Sequence, residues 1–222
     1  MKDWKINIET QIYKESYNGI LICGLNWGGS SANDNSYFKK NEKKYFSHKI
    51  YDYRFRNRIL KWFELWDIKI ETKEEKIGIF EKSIIYTNWL GSKSKNLDGI
   101  DTVTQFKANY TQILHTIKIL TPKIIIFLSK ELMYAINSDE ILIQVNKILG
   151  KNGEIEKLHE QKYIKESKEK KFLVLSQQFE KCTIYSFPHP TSSYGLSDAY
   201  IKLYKNEMKL ILTDFRNKIK NE

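Results

Sequence analysis

Three loops of the sequence carry side chains that could bind a polar ligand or take part in catalysis. Asn26 lies in GLNWGGS, Asn88 lies in TNWLG, and His189 lies in PHPTSSYG. A carboxamide both donates and accepts hydrogen bonds, and an imidazole changes charge close to neutral pH. Each loop alone is ambiguous, because an asparagine at a strand end is often a turn residue and a histidine is often structural. Their joint placement is more informative.

Known motifs exclude some chemistries for these loops. The glycine-containing loop after Cys23 lacks both the GxGxxG spacing and the GxxxxGK[ST] lysine of nucleotide-binding loops. No GxSxG sequence is present either, so the chain has no nucleophile elbow of the α/β-hydrolase type. These absences weaken a nucleotide-binding or serine-hydrolase assignment.

Each of the three loops follows a short apolar run, which predicts a strand that is covered on both faces. The predicted strands are Gly19–Cys23, Ser83–Tyr86, Lys123–Leu128 and Cys182–Phe187. Amphipathic stretches between and after them predict helices at Arg54–Trp66, Thr104–Leu120, Leu132–Leu149 and Ser197–Ile219. This alternation predicts a three-layer α/β/α sandwich with a central four-stranded, mainly parallel sheet. In such sheets ligands bind beyond the carboxyl ends of the strands, where the three loops begin.

The length of 222 residues suits one domain, and no Pro/Gly/Ser-rich linker interrupts the chain. We therefore expect a single domain over residues 1–222. The charge-dense segment near residues 151–175, which ends in the apolar FLVL, is predicted to be a solvated excursion that could form a hairpin.

Composition bounds the partners and the compartment. The net charge of +10 favours a polyanionic partner such as DNA without identifying one. Cys23 and Cys182 lie in apolar runs with no metal-ligand spacing, so we expect buried, reduced cysteines, no metal and no cofactor. No segment resembles a signal peptide or a membrane span, so we expect a cytoplasmic protein that does not bind membranes. We also expect it to be a monomer.

The order of the three loops resembles that of the uracil-DNA glycosylase superfamily. In that family a G-x-[D/N]-P-type loop follows the first strand, an asparagine follows the second, and an H-P-[S/T] loop follows the last. This sequence has GLNWG at 24–28, TNWL at 87–90 and HPTS at 189–192 in the same order. The resemblance extends from about Gly19 to Gly195, and HPTS is its most specific part.

The resemblance implies a DNA glycosylase that flips a pyrimidine nucleotide out of DNA and hydrolyses its N-glycosidic bond, leaving an abasic site. His189 would then donate a hydrogen bond to pyrimidine O2 as the departing base becomes anionic. Asn26 would hold the attacking water. Asn88 would pair with the O4/N3 edge of uracil or, turned over, with the N4/N3 edge of cytosine.

The sequence departs from the family pattern in its first loop. Trp27 replaces the usual proline, and could pack under the loop or stack on the flipped base. Gly28 stands where uracil-specific members carry a tyrosine that blocks substituents at C5, which favours a 5-substituted or hypermodified pyrimidine, as in phage DNA. An asparagine at position 26 polarises water less than an aspartate would, so we expect either slower hydrolysis or help from another carboxylate. The candidates are Asp34, Asp98 and Asp101.

Further residues are candidates for contacts with DNA. In the family the loop after the histidine approaches the minor groove, so Tyr194 is a candidate wedge, and Thr191, Ser192 and Ser193 could bind phosphates. Tyr37 and Phe38 are candidates for stacking on the base. Lys39, Lys40, Lys43 and Lys44 could neutralise phosphate charge or simply form a solvated face.

Two other interpretations remain open. The chain could be an inactive member that binds DNA, or a protein partner, without cleavage, as Asn26 and the missing proline allow. It could also be a hydrolase of small molecules or nucleosides, although no motif for that chemistry is present.

Overall fold

The computed structural model describes residues 8–25, 43–51, 53–90, 102–158, 163–165, 168–170, 172–193 and 195–221 of the chain. The strands are β1 (Ile20–Gly24), β2 (Ile84–Asn88), β3 (Ile124–Phe127), β4 (Asn152–Leu158), β5 (Tyr163–Lys165), β6 (Lys168–Lys170), β7 (Val174–Phe179) and β8 (Thr183–Ser186). Six of them form one sheet in the order β2-β1-β3-β8-β7-β4, while β5 and β6 form a separate two-stranded sheet. Strands β2, β1, β3 and β8 run parallel, so the four strands predicted from apolar runs are confirmed and lie side by side.

The expected count of four strands in the sheet is wrong, because the segment near residues 151–175 adds two antiparallel strands. Strand β7 pairs with β8, and β4 pairs with β7 at the edge of the sheet. Strand β4 exposes most of its charged side chains, as is common for edge strands, so it has no apolar run to reveal it. Strand β7 buries Gln177 by pairing its amide with that of Asn137, at 2.7 and 2.8 Å.

Eight α-helices occur in the described part of the chain. They are α1 (Arg54–Leu65), α2 (Ile79–Lys82), α3 (Thr102–Ala108), α4 (Thr111–Leu120), α5 (Lys130–Ile136), α6 (Asp139–Leu149), α7 (Asp198–Lys202) and α8 (Lys205–Asn221). Helices α1, α2, α7 and α8 supply the apolar cluster on one face of the sheet, and α3 to α6 supply the cluster on the other face. The predicted three-layer α/β/α sandwich is therefore confirmed.

Three of the predicted helices are each divided into two. The first break follows Ala108, where the Asn109 side chain donates to the carbonyl of Gln105 at 2.9 Å. A similar bond from Asn137 to the carbonyl of Met133 ends α5. Asparagine side chains compete for backbone groups in this way, so an apolar period that continues across them overestimates helix length. Ser197 caps α7 by accepting a hydrogen bond from the backbone N–H of Tyr200 at 3.1 Å.

Aromatic packing fixes the chain where it leaves β2 and β8. Phe187 directly follows β8, and its ring lies 5.8 Å from Trp62 and 5.2 Å from Trp66 of the α1 region. On the opposite face, Trp89 directly follows β2 and packs on Phe127 at 6.0 Å. Truncating a buried Phe or Trp typically costs about 3–5 kcal/mol, so both strand ends are held firmly. None of the described helices is both long enough and apolar enough to cross a membrane.

Candidate functional site

The carboxyl ends of the four parallel strands form one rim. Backbone hydrogen bonds between neighbouring segments continue slightly beyond the ends of the strands. Gly24 and Asn88 are register partners at the ends of β1 and β2. The backbone N–H of Trp89 donates to the carbonyl of Gly24 at 2.9 Å, and that of Phe187 donates to Phe127 at 2.8 Å. The first residues of the loops that follow β2 and β8 are therefore part of the rigid scaffold.

Asn88 is the last residue of β2, and its side chain is buried, with 2% of its surface exposed. The hydroxyl of Tyr86 donates to its Oδ1 at 3.1 Å. Its Nδ2 is buried and has no hydrogen-bond partner among the described residues. A buried N–H without a partner costs about 1–3 kcal/mol, and native structures keep few of them. The amide nitrogen of Asn88 is therefore a donor suited to a ligand.

Gly24 makes room for this amide. A methyl group built on Gly24 would lie 2.2 Å from Oδ1 of Asn88 and 3.2 Å from the hydroxyl oxygen of Tyr86. Any other residue at position 24 would push the amide away or shift the strand. The glycine that opens the GLNWG segment is thus required by the close approach of the Asn88 side chain.

His189 lies three residues beyond β8 and is partly buried. Its Nδ1 lies 3.3 Å from the backbone nitrogen of Thr191 and 3.1 Å from that of Ser192. The Ser192 hydroxyl also approaches Nδ1, at 2.6 Å. Backbone N–H groups can only donate, so Nδ1 carries a lone pair, and a neutral ring must hold its proton on Nε2.

Burial lowers the pKa of His189 from its ordinary value of 6.5 to about 4, because the protonated ring would lose its hydration. The imidazole is therefore neutral at physiological pH. Its Nε2–H has no partner among the described residues, so it forms a second donor at this rim. A neutral donor with a fixed tautomer suits the stabilisation of an oxygen that gains negative charge.

Phe55 of α1 connects the two donors. Its ring centroid lies 5.2 Å from that of Tyr86 and 5.4 Å from that of His189. The Asn88 amide, held by Tyr86, and the His189 imidazole are therefore brought to the same side of the sheet and the same rim.

Arg58, one turn later on α1, attaches the histidine loop to the helix. Its Nη2 donates to the carbonyl of Leu196 at 3.1 Å, and its Nη1 lies 2.5 Å from the carboxylate of Asp198. The loop is thus held at its start by the Phe55 contact and at its end by an ion pair.

A carboxylate that the sequence did not suggest lies beside this site. Glu9 precedes β1 and runs along β2, where its backbone N–H donates to the carbonyl of Tyr86 at 3.1 Å. Its carboxylate accepts from the hydroxyl of Tyr53 at 2.9 Å, and the Tyr53 ring stacks on Phe55. Nothing in the local sequence marks Glu9, because it reaches this place through tertiary contacts such as the isolated bridge between Ile8 and Thr87.

Several predicted site residues lie outside the described residues. These are Asn26, Trp27, Gly28, Tyr37, Phe38 and Tyr194, together with the candidate carboxylates Asp34, Asp98 and Asp101 and the lysines Lys39 and Lys40. Their predicted roles stay predictions.

The other predicted DNA contacts take part in the fold. Thr191 and Ser192 bind Nδ1 of His189, and Ser193 donates its N–H to the His189 carbonyl at 3.2 Å. Lys43 donates to the carbonyl of Ile8 at 2.5 Å, and burial lowers its pKa while Glu9 opposes that effect. Lys44 lies 3.7 Å from Glu74. Lys43 and Lys44, the two candidate lysines that the structure describes, thus have partners within the chain.

Metal and thiol chemistry find no support in the described part of the chain. It contains no group of three or more His, Cys, Asp or Glu side chains that could hold a metal ion. Cys23 and Cys182 are buried free cysteines, as predicted, and burial raises the pKa of both thiols far above its usual value.

Comparison with known proteins adds no family assignment. No family model matches the sequence, and no curated protein matches it significantly. Functional inference therefore depends on the geometry of the site and on the resemblance of its three loops.

Proposed function

We propose that this protein is a monofunctional DNA glycosylase, which flips a pyrimidine nucleotide out of DNA and hydrolyses its N-glycosidic bond. The observation that carries the proposal is the pair of side-chain N–H donors at one rim, Nδ2 of Asn88 and Nε2 of His189. The first is buried without a partner, and the second belongs to a ring whose Nδ1 is already satisfied. Two such donors suit the polar edge and the O2 atom of one pyrimidine.

The chemistry needs no covalent intermediate on the protein. As the bond between C1′ and N1 breaks, the electron pair leaves with the base, and negative charge develops on O2. His189 donates its Nε2–H to that oxygen, while Asn88 holds the opposite part of the base. Water, positioned by Asn26, then forms a bond to C1′ of the sugar, and the proton that it loses is taken up by the departed base anion. Removing one donor of this kind typically costs about 3–4 kcal/mol of barrier.

The phosphate backbone supplies a natural reason for the positive charge. The net charge of +10 favours binding to a polyanion, and its contribution should weaken as salt is added. Gly28 in place of a blocking tyrosine extends the proposed substrates to 5-substituted and hypermodified pyrimidines, and so to defence against modified phage DNA as well as to repair.

A strand-cleavage assay tests the proposal. Single-stranded and duplex oligonucleotides carry one uracil, thymine, 5-hydroxymethyluracil or modified cytosine, and alkali converts abasic sites into strand breaks. We expect breaks with at least one of these bases, and a loss of about 100-fold or more in His189→Ala and Asn88→Ala, as for other preorganised donors. Asn26→Ala should show a comparable loss.

The matched control is His115→Ala, on α4 at the other face of the sheet, which should keep full activity. Full activity in both His189→Ala and Asn88→Ala would exclude the proposed mechanism. DNA binding without breaks from any base would favour a non-cleaving DNA-binding protein. Release of bases from free nucleosides, independent of DNA, would favour a nucleoside hydrolase.

A further inference from the structure

We infer that the two-stranded sheet of β5 and β6 is an arm that binds the phosphate backbone of DNA beside the flipped nucleotide, on the side of the site that carries His189. This inference rests on the proposed function, because it takes DNA to be the partner. It adds a contact surface that lies outside the three loops of the proposed site.

The chain leaves the six-stranded sheet at the rim and returns to it at the rim. Leu158, the last residue of β4, is the register partner of Val174, the first residue of β7. The next residue of β7, Leu175, is opposite Ser186, which ends β8 three residues before His189. Strands β5 and β6 lie between Leu158 and Val174 in the sequence, so they are joined to the sheet at the same rim as His189.

The strand order places this arm on one side of the site. The sheet has the order β2-β1-β3-β8-β7-β4, with Asn88 at the end of β2 and the histidine loop after β8. Strands β7 and β4, which carry the arm, lie beyond β8 and are therefore the farthest from Asn88. DNA held by the arm would thus extend past His189 and away from Asn88.

The root of the arm is fixed to the helix that follows the histidine loop. Leu158 and Phe172 pack against the apolar cluster supplied by α1, α2, α7 and α8. The hydroxyl of Tyr200, on α7, donates to the carbonyl of Phe172 at 2.5 Å, and the two rings are in edge contact with 5.4 Å between centroids. Helix α7 is in turn tied to α1 by the ion pair between Asp198 and Arg58. The root of the arm therefore keeps a set position relative to the histidine loop.

The pairing of β5 with β6 sorts the charges of a segment whose signs alternate along the sequence. Register partners share a face of an antiparallel pair, and so do residues two apart on one strand. Ile164 and Glu169, which are register partners, lie on one face. The other face carries Tyr163, Lys165, Lys168 and Lys170. Among the residues that the structure describes, this second face has three lysines and no acidic residue.

A face with three lysines and a tyrosine suits a row of phosphates. Lysine ammonium groups neutralise phosphate charge and release the counterions that surround DNA, which is favourable at low salt. A tyrosine hydroxyl can donate to a phosphate oxygen, and such contacts position a protein on DNA without reading its sequence. The attachment of the arm at the rim of the proposed base-binding site favours DNA over other polyanions.

The test removes the charge of the arm and measures binding without any chemistry. Lys165→Gln, Lys168→Gln and Lys170→Gln are combined, and the probe is DNA with one tetrahydrofuran abasic analogue, as a single strand and as a duplex. We expect binding to weaken about tenfold or more at about 0.1 M salt, and the slope of log Kd against log salt to fall by up to about 2.7, at about 0.9 per lost phosphate contact. Changing the same three lysines to arginine keeps the charge and should preserve the affinity.

The matched control combines Lys147→Gln, Lys151→Gln and Lys181→Gln. It removes the same net charge from exposed lysines at the opposite end of the sheet, where α6 leads into β4 and β7 turns into β8. The control should change the affinity and the salt slope far less than the arm variant does. Equal losses in the two variants would show that only total charge matters, and would overturn the inference.

Phosphate ethylation interference locates the contact on the DNA. Ethylated phosphates on one side of the analogue should weaken binding by wild type and should no longer matter to the arm variant. Phosphates on the other side should matter equally to wild type, arm variant and control. If the arm variant lost interference on both sides to the same degree, the arm would not bind one flank, and the inference would be wrong.

The same assays separate the inference from the proposed function. Arm-dependent binding without release of any base would support the inference and leave only the glycosylase proposal wrong. Binding and base release that the arm variant and the control retain in equal measure would overturn the inference alone. A wild-type protein that does not bind DNA would overturn both.

Discussion

The ring of Phe55 packs against the imidazole of His189 with 5.4 Å between centroids and an angle of 47° between the planes. The same ring lies 5.2 Å from Tyr86, which holds Asn88. A single residue on α1 therefore sets the spacing between the two loops that carry the proposed donors. Because Trp62 of α1 packs on Phe187, directly after β8, this spacing depends on how the helix packs on the sheet and not on the loops alone.

Phe55→Ala is expected to slow base release even in the fraction of the protein that is folded, so that lost stability alone does not explain the loss. Losing the ring removes contacts with Tyr86 and His189, each worth about 0.5–1.5 kcal/mol beyond area burial. We expect a rate loss of about tenfold or more, because positioned groups work only in the right geometry. Phe55→Tyr, which keeps the ring, should retain most of the activity.

Phe80→Ala serves as the control for lost stability, because Phe80 packs on Phe215 and precedes β2, at the opposite end of that strand from Asn88. It should lower the free energy of unfolding by about 3–5 kcal/mol and leave the rate of the folded protein unchanged. Equal rates in Phe55→Ala and Phe80→Ala, measured where both are folded, would contradict the spacing role.

The lowered pKa of His189 predicts an unusual pH profile. The proposed donor is the neutral ring, which persists until the pH falls towards about 4, so base release should show no His189-dependent decline between pH 8 and 5.5. A histidine acting with its ordinary pKa would show an inflection near 6.5. An inflection there that disappears in His189→Gln would contradict the burial argument.

The same shift predicts how stability changes with pH. The folded protein resists protonation of His189, while the unfolded chain accepts a proton near 6.5. Stability is therefore lost as the pH falls from about 6.5 to about 4, and below that range the penalty is complete, at most about 3 kcal/mol. Urea unfolding at pH 7 and pH 4.5 should show a smaller drop in His189→Gln than in wild type.

Arg58→Met is expected to loosen the end of the histidine loop. The substitution keeps the aliphatic part of the side chain but removes the hydrogen bond to the carbonyl of Leu196 and the ion pair with Asp198. We expect a loss of about 1 kcal/mol of stability, typical of a charge-assisted bond at a partly exposed site, and a severalfold lower rate.

Lys61→Met is the control, because it removes an exposed ion pair with Glu64 on the same helix. It should change neither the stability nor the rate of base release measurably. The checks are hydrogen exchange at residues 195–197 and the rate of base release. Unchanged exchange at those amides in Arg58→Met would show that Arg58 does not hold the loop.

Buried apolar runs are what make part of this fold predictable from the sequence. Strands β1, β2, β3 and β8 follow from such runs, and so does the placement of Asn88 and His189 at one rim. Strand β4 did not follow, because an edge strand can be charged. The division between α3 and α4 does not follow from the sequence either, because the apolar spacing continues across Asn109, where a side-chain bond caps the end of α3.

The site shows the same limit. Tyr86 stands two residues before Asn88. Since alternate residues of a strand share a face, the sequence alone could have predicted that Tyr86 lies beside Asn88. The histidine tautomer could not be predicted, because it depends on how the loop turns the N–H groups of Thr191 and Ser192 towards Nδ1. Glu9 could not be predicted either, since it reaches the site through a backbone bridge to β2 and a side-chain bond from Tyr53.

Gly24→Ala should separate the effect of the Asn88 amide from that of His189. The added methyl group would lie 2.2 Å from Oδ1, far closer than atoms can approach, so the amide must turn or move away from Tyr86. We expect base release to fall about 100-fold, comparable to Asn88→Ala, while the pH profile set by His189 is preserved. Gly153→Ala, where the nearest atom would be at 3.4 Å on β7, is the matched control and should keep full activity. Because both defects would act through one amide, Gly24→Ala combined with Asn88→Ala should lose little more than either alone. Fully additive losses would mean that Gly24 serves the site in some way other than by making room for Asn88.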